Sequence, residues 1–109
     1  MPKTVPFDAA DYLKTATARA EYLTAALETN DPSFIRDAVG VVARSVGMSK
    51  VAREAGVTRE GLYKALGASG NPEFSTVISL LPALQIKLSA RPVRARPSMR
   101  AAAKRTRRR

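Results

Sequence analysis

The segment from Met48 to Gly67 constrains the fold of this chain most, because two short stretches of helical periodicity flank a single glycine. Gly56 can adopt a positive φ without steric cost, which permits a tight turn between the two stretches. Ala52, one turn earlier, is small enough to let two helices approach closely. The inward positions are all apolar: Val51, Ala55, Val57, Leu62 and Leu66. The pattern predicts a helix-turn-helix, with helices over Ser49–Ala55 and Thr58–Leu66.

The outward face of the second helix is polar and carries the candidate functional residues. In a helix-turn-helix, residues near the N-terminus of this helix reach base edges in the major groove of DNA. Arg59 can hydrogen-bond a guanine through its forked guanidinium, and Glu60 can accept from a cytosine amino group or orient Arg59. The remaining polar positions suit phosphates and sugars. The predicted DNA-binding residues are Ser49, Thr58, Arg59, Glu60, Tyr63 and Lys64.

The basic residues are distributed unevenly along the chain. The net charge is +10, and nine basic residues with no acidic one lie in Arg91–Arg109. Residues 1–90 therefore carry only about +1, so specific recognition of DNA must depend on the placement of a few charges. Prolines and like charges predict that 91–109 is a disordered tail. Weak non-specific nucleic-acid binding, a degradation signal and a merely solvated terminus all stay open for it.

The composition excludes several functional classes. The chain has no cysteine and no histidine, which removes disulfides, thiol nucleophiles, imidazole bases and the usual zinc sites. We therefore expect no catalytic residues, no cofactor and no metal, and an enzyme is the poorest interpretation. No apolar run is long enough to span a membrane, and the N-terminus lacks the apolar core of a signal peptide. A cytoplasmic protein without a membrane partner is expected.

Periodicity elsewhere predicts an all-α, five-helix fold. The three helices beyond the helix-turn-helix are expected over Thr17–Glu28, Pro32–Val46, and from Glu73 or Ser75 onward, and a short additional helix is expected over Ala9 to about Lys14. Asp8 and Asp31 are predicted N-caps. Pro82 lies inside the last helical pattern, where it must kink the helix or end it early. We divide the chain into a helical extension (1–30), a helix-turn-helix domain (31–90) and the tail (91–109).

The aromatic residues are assigned to the core. Phe34 and Phe74 flank apolar positions and are predicted to be buried. Tyr12 and Tyr22 are expected to pack against Phe7, although aromatic residues at these positions could also contact a protein partner.

Three short runs resemble the addiction-module antidote family of HigA-like antitoxins. These runs are Gly47-Met48-Ser49, Arg59-Glu60-Gly61-Leu62-Tyr63-Lys64-Ala65-Leu66 and Gly70-Asn71-Pro72. The similarity covers roughly residues 7–88. One departure is that the family's last helix usually ends in Ala-Leu-Gly, whereas this chain has Pro82-Ala83-Leu84-Gln85-Ile86.

The resemblance implies a λ-repressor-like fold and a role as the labile half of a toxin–antitoxin pair. The implied partners are operator DNA and a cognate RelE/ParE-superfamily toxin, typically a ribosome-dependent mRNA endonuclease. Such antidotes bind and neutralise the toxin and repress their own operon. A homodimer or a toxin-bridged assembly on a palindrome is expected, because one recognition helix binds DNA weakly. Two alternatives remain: a stand-alone repressor without a toxin, and a toxin-binding module that does not bind DNA.

Overall fold

The computed structural model describes residues 8–93, and the chain forms five α-helices and no β-strand within that range. The α-helices are α1 (Ala16–Leu27), α2 (Pro32–Val46), α3 (Met48–Ala55), α4 (Arg59–Leu66) and α5 (Phe74–Leu80). Short 3₁₀ turns occupy Ala9–Tyr12 and Leu81–Leu84. The predicted all-α, five-helix fold is confirmed. Residues 94–109 of the predicted tail, and Phe7, lie outside the described range.

Side-chain caps fix where the first elements begin. Asp8 accepts a hydrogen bond from the Ala10 N–H at 3.1 Å, and Thr15 accepts from the Ala18 N–H at 3.0 Å. Asp31 accepts from the Ser33 N–H at 3.0 Å, directly before the proline that opens α2. Each cap satisfies backbone donors that have no partner within the helix. Asp8 and Asp31 therefore act as the N-caps that the sequence predicts.

An ion pair links the first 3₁₀ turn to the end of α2. Nη2 of Arg44 lies 3.0 Å from Oδ1 of Asp8. The hydrogen bond from the Ala10 N–H, and then the bond from Arg44, lower the pKa of Asp8 below its ordinary value. Both side chains remain about half exposed, so the pair orients the N-terminal turn more than it stabilises the fold.

The core lies where α1 and α2 meet the α3–α4 pair and the turn after α5. Its fully buried large side chains are Val42, Val51, Leu62, Leu80 and Leu84. Helix α1 packs directly on α2, so the 1–30 segment contributes to the same core as the helices that follow. The division of the chain at residue 30 stays a prediction. Among residues 8–93, no helix combines the length and the apolar character needed to cross a membrane.

A buried arginine joins the two ends of the described chain. Arg19 in α1 is only 6% exposed, and its guanidinium donates to three neutral acceptors. These are the Leu13 carbonyl oxygen at 3.1 Å, the Leu84 carbonyl oxygen at 3.3 Å and Oε1 of Gln85 at 2.7 Å. Burying a charge without such bonds is costly, so these acceptors hold α1 against the turn after α5.

Pro82 ends the last α-helix early and does not kink it. Helix α5 stops at Leu80, and Pro82 lies in the first turn of the 3₁₀ segment that follows. Gln85 then adopts the left-handed conformation, with φ of 62°. Glycine adopts this conformation more readily than other residues. The turn is closed by the Ile86 N–H, which donates to the Leu81 carbonyl oxygen at 3.1 Å.

Three of the aromatic assignments are wrong. Phe34 is 51% exposed, Phe74 is 72% exposed and Tyr12 is 68% exposed. The buried stripe of α2 includes Ala38, Val39 and Val42, and Phe34 lies outside this stripe. Phe74 is the first residue of α5, and only the far end of that helix, at Leu80, is buried. Tyr22, by contrast, packs partly buried against the core as expected.

Candidate nucleic-acid interface

The α3–α4 pair is a helix-turn-helix with the turn that the sequence predicts. Gly56 ends α3 in the left-handed conformation, with φ of 77°. Its N–H donates to the Arg53 carbonyl oxygen at 3.3 Å, and the Val57 N–H donates to the Ala52 carbonyl oxygen at 3.0 Å. This pair of bonds is the Schellman motif, which satisfies the last carbonyls of a helix and reverses the chain.

Buried apolar side chains lock the two helices together. Val51 and Ala52 of α3 are 0% and 3% exposed, and Leu62 and Leu66 of α4 are 1% and 8% exposed. Ala55 and Val57 pack partly buried against the same core. Because the inward positions of α4 are filled in this way, its remaining positions are turned toward solvent.

Thr58 caps the start of α4. Its Oγ1 accepts a hydrogen bond from the Gly61 N–H at 2.9 Å. A Cβ at position 61 would lie 2.9 Å from the same oxygen. The absence of a Cβ at Gly61 therefore leaves space for the Thr58 side chain to cap the helix. The threonine hydroxyl keeps its own proton for donation to another acceptor, and Thr58 is exposed at the entrance to the helix.

Four predicted residues share the solvent-exposed surface of α4: Arg59, Glu60, Tyr63 and Lys64. Nη2 of Arg59 lies 3.3 Å from the Tyr63 hydroxyl oxygen, and its guanidinium carbon lies 5.4 Å from the centre of the Tyr63 ring. The described contacts therefore orient Arg59 through Tyr63, four residues later, and not through Glu60. A cation over an aromatic face is attracted by the electrons of the ring, so this contact reduces the freedom of the long arginine side chain.

Helix α3 adds a second group of exposed polar side chains. Ser49 lies in its first turn, and Lys50 follows it. Arg53 is also exposed, one turn after Ser49. The sequence interpretation did not include Arg53, although a basic residue four positions after Ser49 falls on the same side of a helix. The spacing alone could have identified it.

The positive charge of the described chain is concentrated in this segment. Residues 48–67 carry four basic and two acidic residues, whereas 8–47 and 68–93 together carry six basic and seven acidic residues. The ion pairs within 8–93 join Arg36 to Asp37 and Arg44 to Asp8, and neither uses a cation of the helix-turn-helix. The basic side chains here are thus not neutralised by a neighbouring carboxylate, which favours an anionic ligand.

The described residues contain no cluster of three or more side chains that could hold a metal ion.

Comparison with known proteins identifies the family. Residues 3–92 match the model of a family described as probable addiction module antidote protein. The chain belongs to this family. A protein of Haemophilus influenzae, itself uncharacterized, is 42% identical over 81 residues, which is 74% of this chain and 84% of that protein. No solved structure matches the chain. An antidote acts on a toxin, so membership of this family implies a toxin as partner.

Proposed function

We propose that the chain is the antitoxin of a type II toxin–antitoxin module that acts in the cytoplasm. It binds and neutralises a RelE/ParE-superfamily toxin, and it represses its own operon through sequence-specific binding of DNA. Membership of the antidote family supports the antitoxin role. The observation that carries the DNA-binding role is the exposed polar surface of α4, held outward by buried Leu62 and Leu66.

In this proposal α4 enters the major groove with its N-terminus first. Arg59 reads a guanine with its guanidinium, and Glu60 accepts a hydrogen bond from a cytosine amino group. Tyr63 and Lys64 contact the phosphate and sugar backbone, together with Thr58 and with Ser49 of α3. The contacts with phosphate and sugar position the helix, and the contacts with bases give specificity.

Two copies of α4 are needed for firm binding. A single recognition helix makes few base contacts, and palindromic operators present half-sites about 34 Å apart, one turn of the DNA helix. We therefore propose that a homodimer or a toxin-bridged assembly binds the operator. Bridging by toxin would make repression depend on the ratio of toxin to antitoxin.

A gel shift on the DNA upstream of the gene tests the repressor role. The double variant Arg59→Ala plus Lys64→Ala should lose about tenfold or more in affinity, because a base contact and a phosphate contact disappear together. Lys14→Ala plus Lys87→Ala is the matched control, since it removes the same charge from exposed positions outside the helix-turn-helix. It should bind almost as tightly as the wild type.

The Arg-rich tail requires a separate arm of this experiment. Nine basic residues can shift DNA by themselves in a salt-sensitive way, so the measurement is repeated after deletion of 91–109. Sequence preference should survive the deletion. If the wild type at physiological salt prefers its upstream region no more than competitor DNA, the repressor role fails, and a toxin-binding module that does not bind DNA becomes the better interpretation.

A further inference from the structure

A second surface lies at the other end of the helical body, where α1, the first half of α2 and α5 enclose an apolar groove of about 460 Å³. Its apolar lining includes Leu27, Ile35, Val39, Phe74, Val77 and Leu88. We call this surface the apolar groove. It is assembled from segments that are distant in sequence.

Three of the large apolar side chains that line the apolar groove are open to solvent. Phe74 is 72% exposed, Leu88 is 44% exposed and Leu27 is 37% exposed. Contiguous exposed apolar surface on a small protein marks a site of interaction with another molecule. Phenylalanine is also one of the aromatic residues that are enriched at protein interfaces.

The surroundings of the apolar groove are acidic. Four exposed carboxylates directly adjoin lining residues in the chain: Glu28, Asp31, Asp37 and Glu73. The cation that lines the groove, Arg36, is paired with Asp37 at 2.9 Å and also donates to the Gly70 carbonyl oxygen at 3.1 Å. Lys87, beside Leu88, and Arg91 line an adjoining depression that shares Leu23, Leu27 and Leu88 with the groove. Because Arg36 is paired with Asp37, three carboxylates and two cations remain around the groove, and this small excess of negative charge favours an occupant with basic side chains.

The apolar groove and the predicted DNA-binding surface of α3 and α4 are formed by different residues. The groove involves α2 only from Pro32 to Val39, whereas the opposite end of α2 leads into α3 through Gly47. A helix rises about 1.5 Å per residue, so Val39 lies roughly 12 Å along the axis from Gly47. The nearest approach of the two surfaces is at Gly70, which lines the groove and lies against the end of α4.

Three occupants compete for the apolar groove, and the chemistry distinguishes them. A second copy of the chain would bring the same carboxylates against themselves, because a two-fold interface pairs like patches. The chain's own segment 94–109 has the right charge, but its apolar side chains are one proline, one methionine and four alanines, too little to fill the groove. A partner with large apolar and basic side chains satisfies both requirements.

We infer that the apolar groove is the docking site for the toxin, and that it receives an apolar segment flanked by lysine or arginine. The inference depends on the proposed function, because that function supplies the toxin as partner.

The test measures the affinity of the full chain for the toxin encoded beside its gene, by calorimetric titration with toxin refolded after separation from the complex. Phe74→Glu should weaken binding by about 30-fold, as expected for a central interface residue. Phe34→Glu is the matched control, since Phe34 is an exposed phenylalanine of the same body, 51% exposed against 72% for Phe74, and does not line the groove. It should change the affinity by less than about twofold.

Two further variants are informative. One distinguishes the contribution of charge from that of apolar contact, and the other distinguishes binding to toxin from binding to DNA. Glu28→Gln plus Glu73→Gln should slow association and reduce its dependence on salt, because rim charges act mainly on the association rate. Arg59→Ala plus Lys64→Ala should leave the affinity for toxin unchanged while it weakens binding to DNA.

The outcomes distinguish this inference from the proposed function. If the wild type binds toxin and Phe74→Glu binds it equally well, only the docking site is wrong. If the wild type binds no toxin, the antitoxin role and the docking site fail together. A light-scattering mass that falls by half in Phe74→Glu would assign the groove to a second copy. A gain in toxin affinity on deletion of 94–109 would assign it to the tail.

Discussion

The two ends of this small helical body differ in charge and in the use of their apolar residues. The helix-turn-helix buries its large aliphatic side chains and exposes basic and polar ones. The apolar groove exposes Phe74 and Leu88, and carboxylates adjoin several of its lining residues in the chain. A fold of this size therefore presents one surface suited to an anionic ligand and another suited to a basic, apolar one.

The two ends also differ in how the chain builds them. The helix-turn-helix is continuous in sequence, and its turn is closed by bonds between residues a few positions apart. The apolar groove combines residues from Leu23 to Leu88. Local geometry can specify the first surface, whereas the second exists only once the helices have packed.

The largest expected effect comes from comparing how much the helix-turn-helix and the apolar groove each contribute to the free energy of unfolding. Leu62→Ala should lower the free energy of unfolding by about 3 kcal/mol, because it leaves a cavity in a packed core. Phe74→Ala removes a larger side chain but should change it by less than about 0.5 kcal/mol, because that ring is mostly in water. Urea denaturation followed by circular dichroism measures both. An equally large loss for Phe74→Ala would mean that the groove is covered in the isolated protein.

Gly70 lines the apolar groove and follows α4 in the chain. A Cβ at this position would overlap the carbonyl oxygens of Lys64 and Ala65 at the end of α4. Gly70→Ala should therefore lower the free energy of unfolding by about 2 kcal/mol, since backbone has to move. Both DNA and toxin binding should weaken.

Gly40→Ala is the matched control for Gly70→Ala. A Cβ at Gly40 would meet the Leu66 Cβ at 3.8 Å, an ordinary contact. Because alanine is favoured over glycine inside a helix, this variant should be more stable than the wild type by up to about 1 kcal/mol. The same denaturation series compares the two. If both glycines tolerate alanine equally, the loop after α4 is not held against that helix as described.

A smaller effect is expected at the first turn of α4. Thr58→Ala should lower the free energy of unfolding by about 1 kcal/mol through loss of the cap. It should also weaken binding to DNA but not to toxin. Thr15→Ala removes an equivalent cap from α1, where the bond to the Ala18 N–H is 3.0 Å. Thermal melts and gel shifts on both variants separate the roles: equal DNA affinities would make Thr58 a cap and nothing more.

The smallest expected effect involves the Asp8–Arg44 pair, outside both surfaces. The fold lowers the pKa of Asp8 below its usual 3.8, so the ionised carboxylate stabilises the folded state above that pH. This contribution is lost as the pH falls through the lowered pKa. Melting temperatures between pH 7 and pH 2 should therefore fall slightly less in Asp8→Asn than in the wild type. Identical acid profiles would show that the pair does not persist in solution.

Much of the fold follows from the sequence because the signals are local. Asp31, Pro32 and Gly47 predict the bounds of α2, and the structure has that helix at Pro32–Val46. Gly56 and the apolar spacing around it predict α3 and α4 to within one residue. For the candidate site, the exposed polar surface of α4 follows from the same spacing, whereas the function of its residues stays a proposal.

The errors fall where distant segments decide the outcome. Helical spacing cannot tell whether a phenylalanine at the edge of an apolar stripe will be buried, and both Phe34 and Phe74 stay exposed. The burial of Arg19 is equally invisible in the sequence, because its acceptors Leu84 and Gln85 lie 65 and 66 residues away.

The amino-acid sequence by itself determined the helix boundaries, the glycine turn and the polar surface of α4, because caps, positive φ and helical spacing act within a few residues. Only the tertiary structure decided where α5 ends, which aromatic rings stay exposed and which acceptors hydrogen-bond the buried guanidinium of Arg19. Those outcomes depend on packing between segments that are far apart in the chain. The apolar groove belongs to this second group, and for that reason no motif in the sequence identifies it.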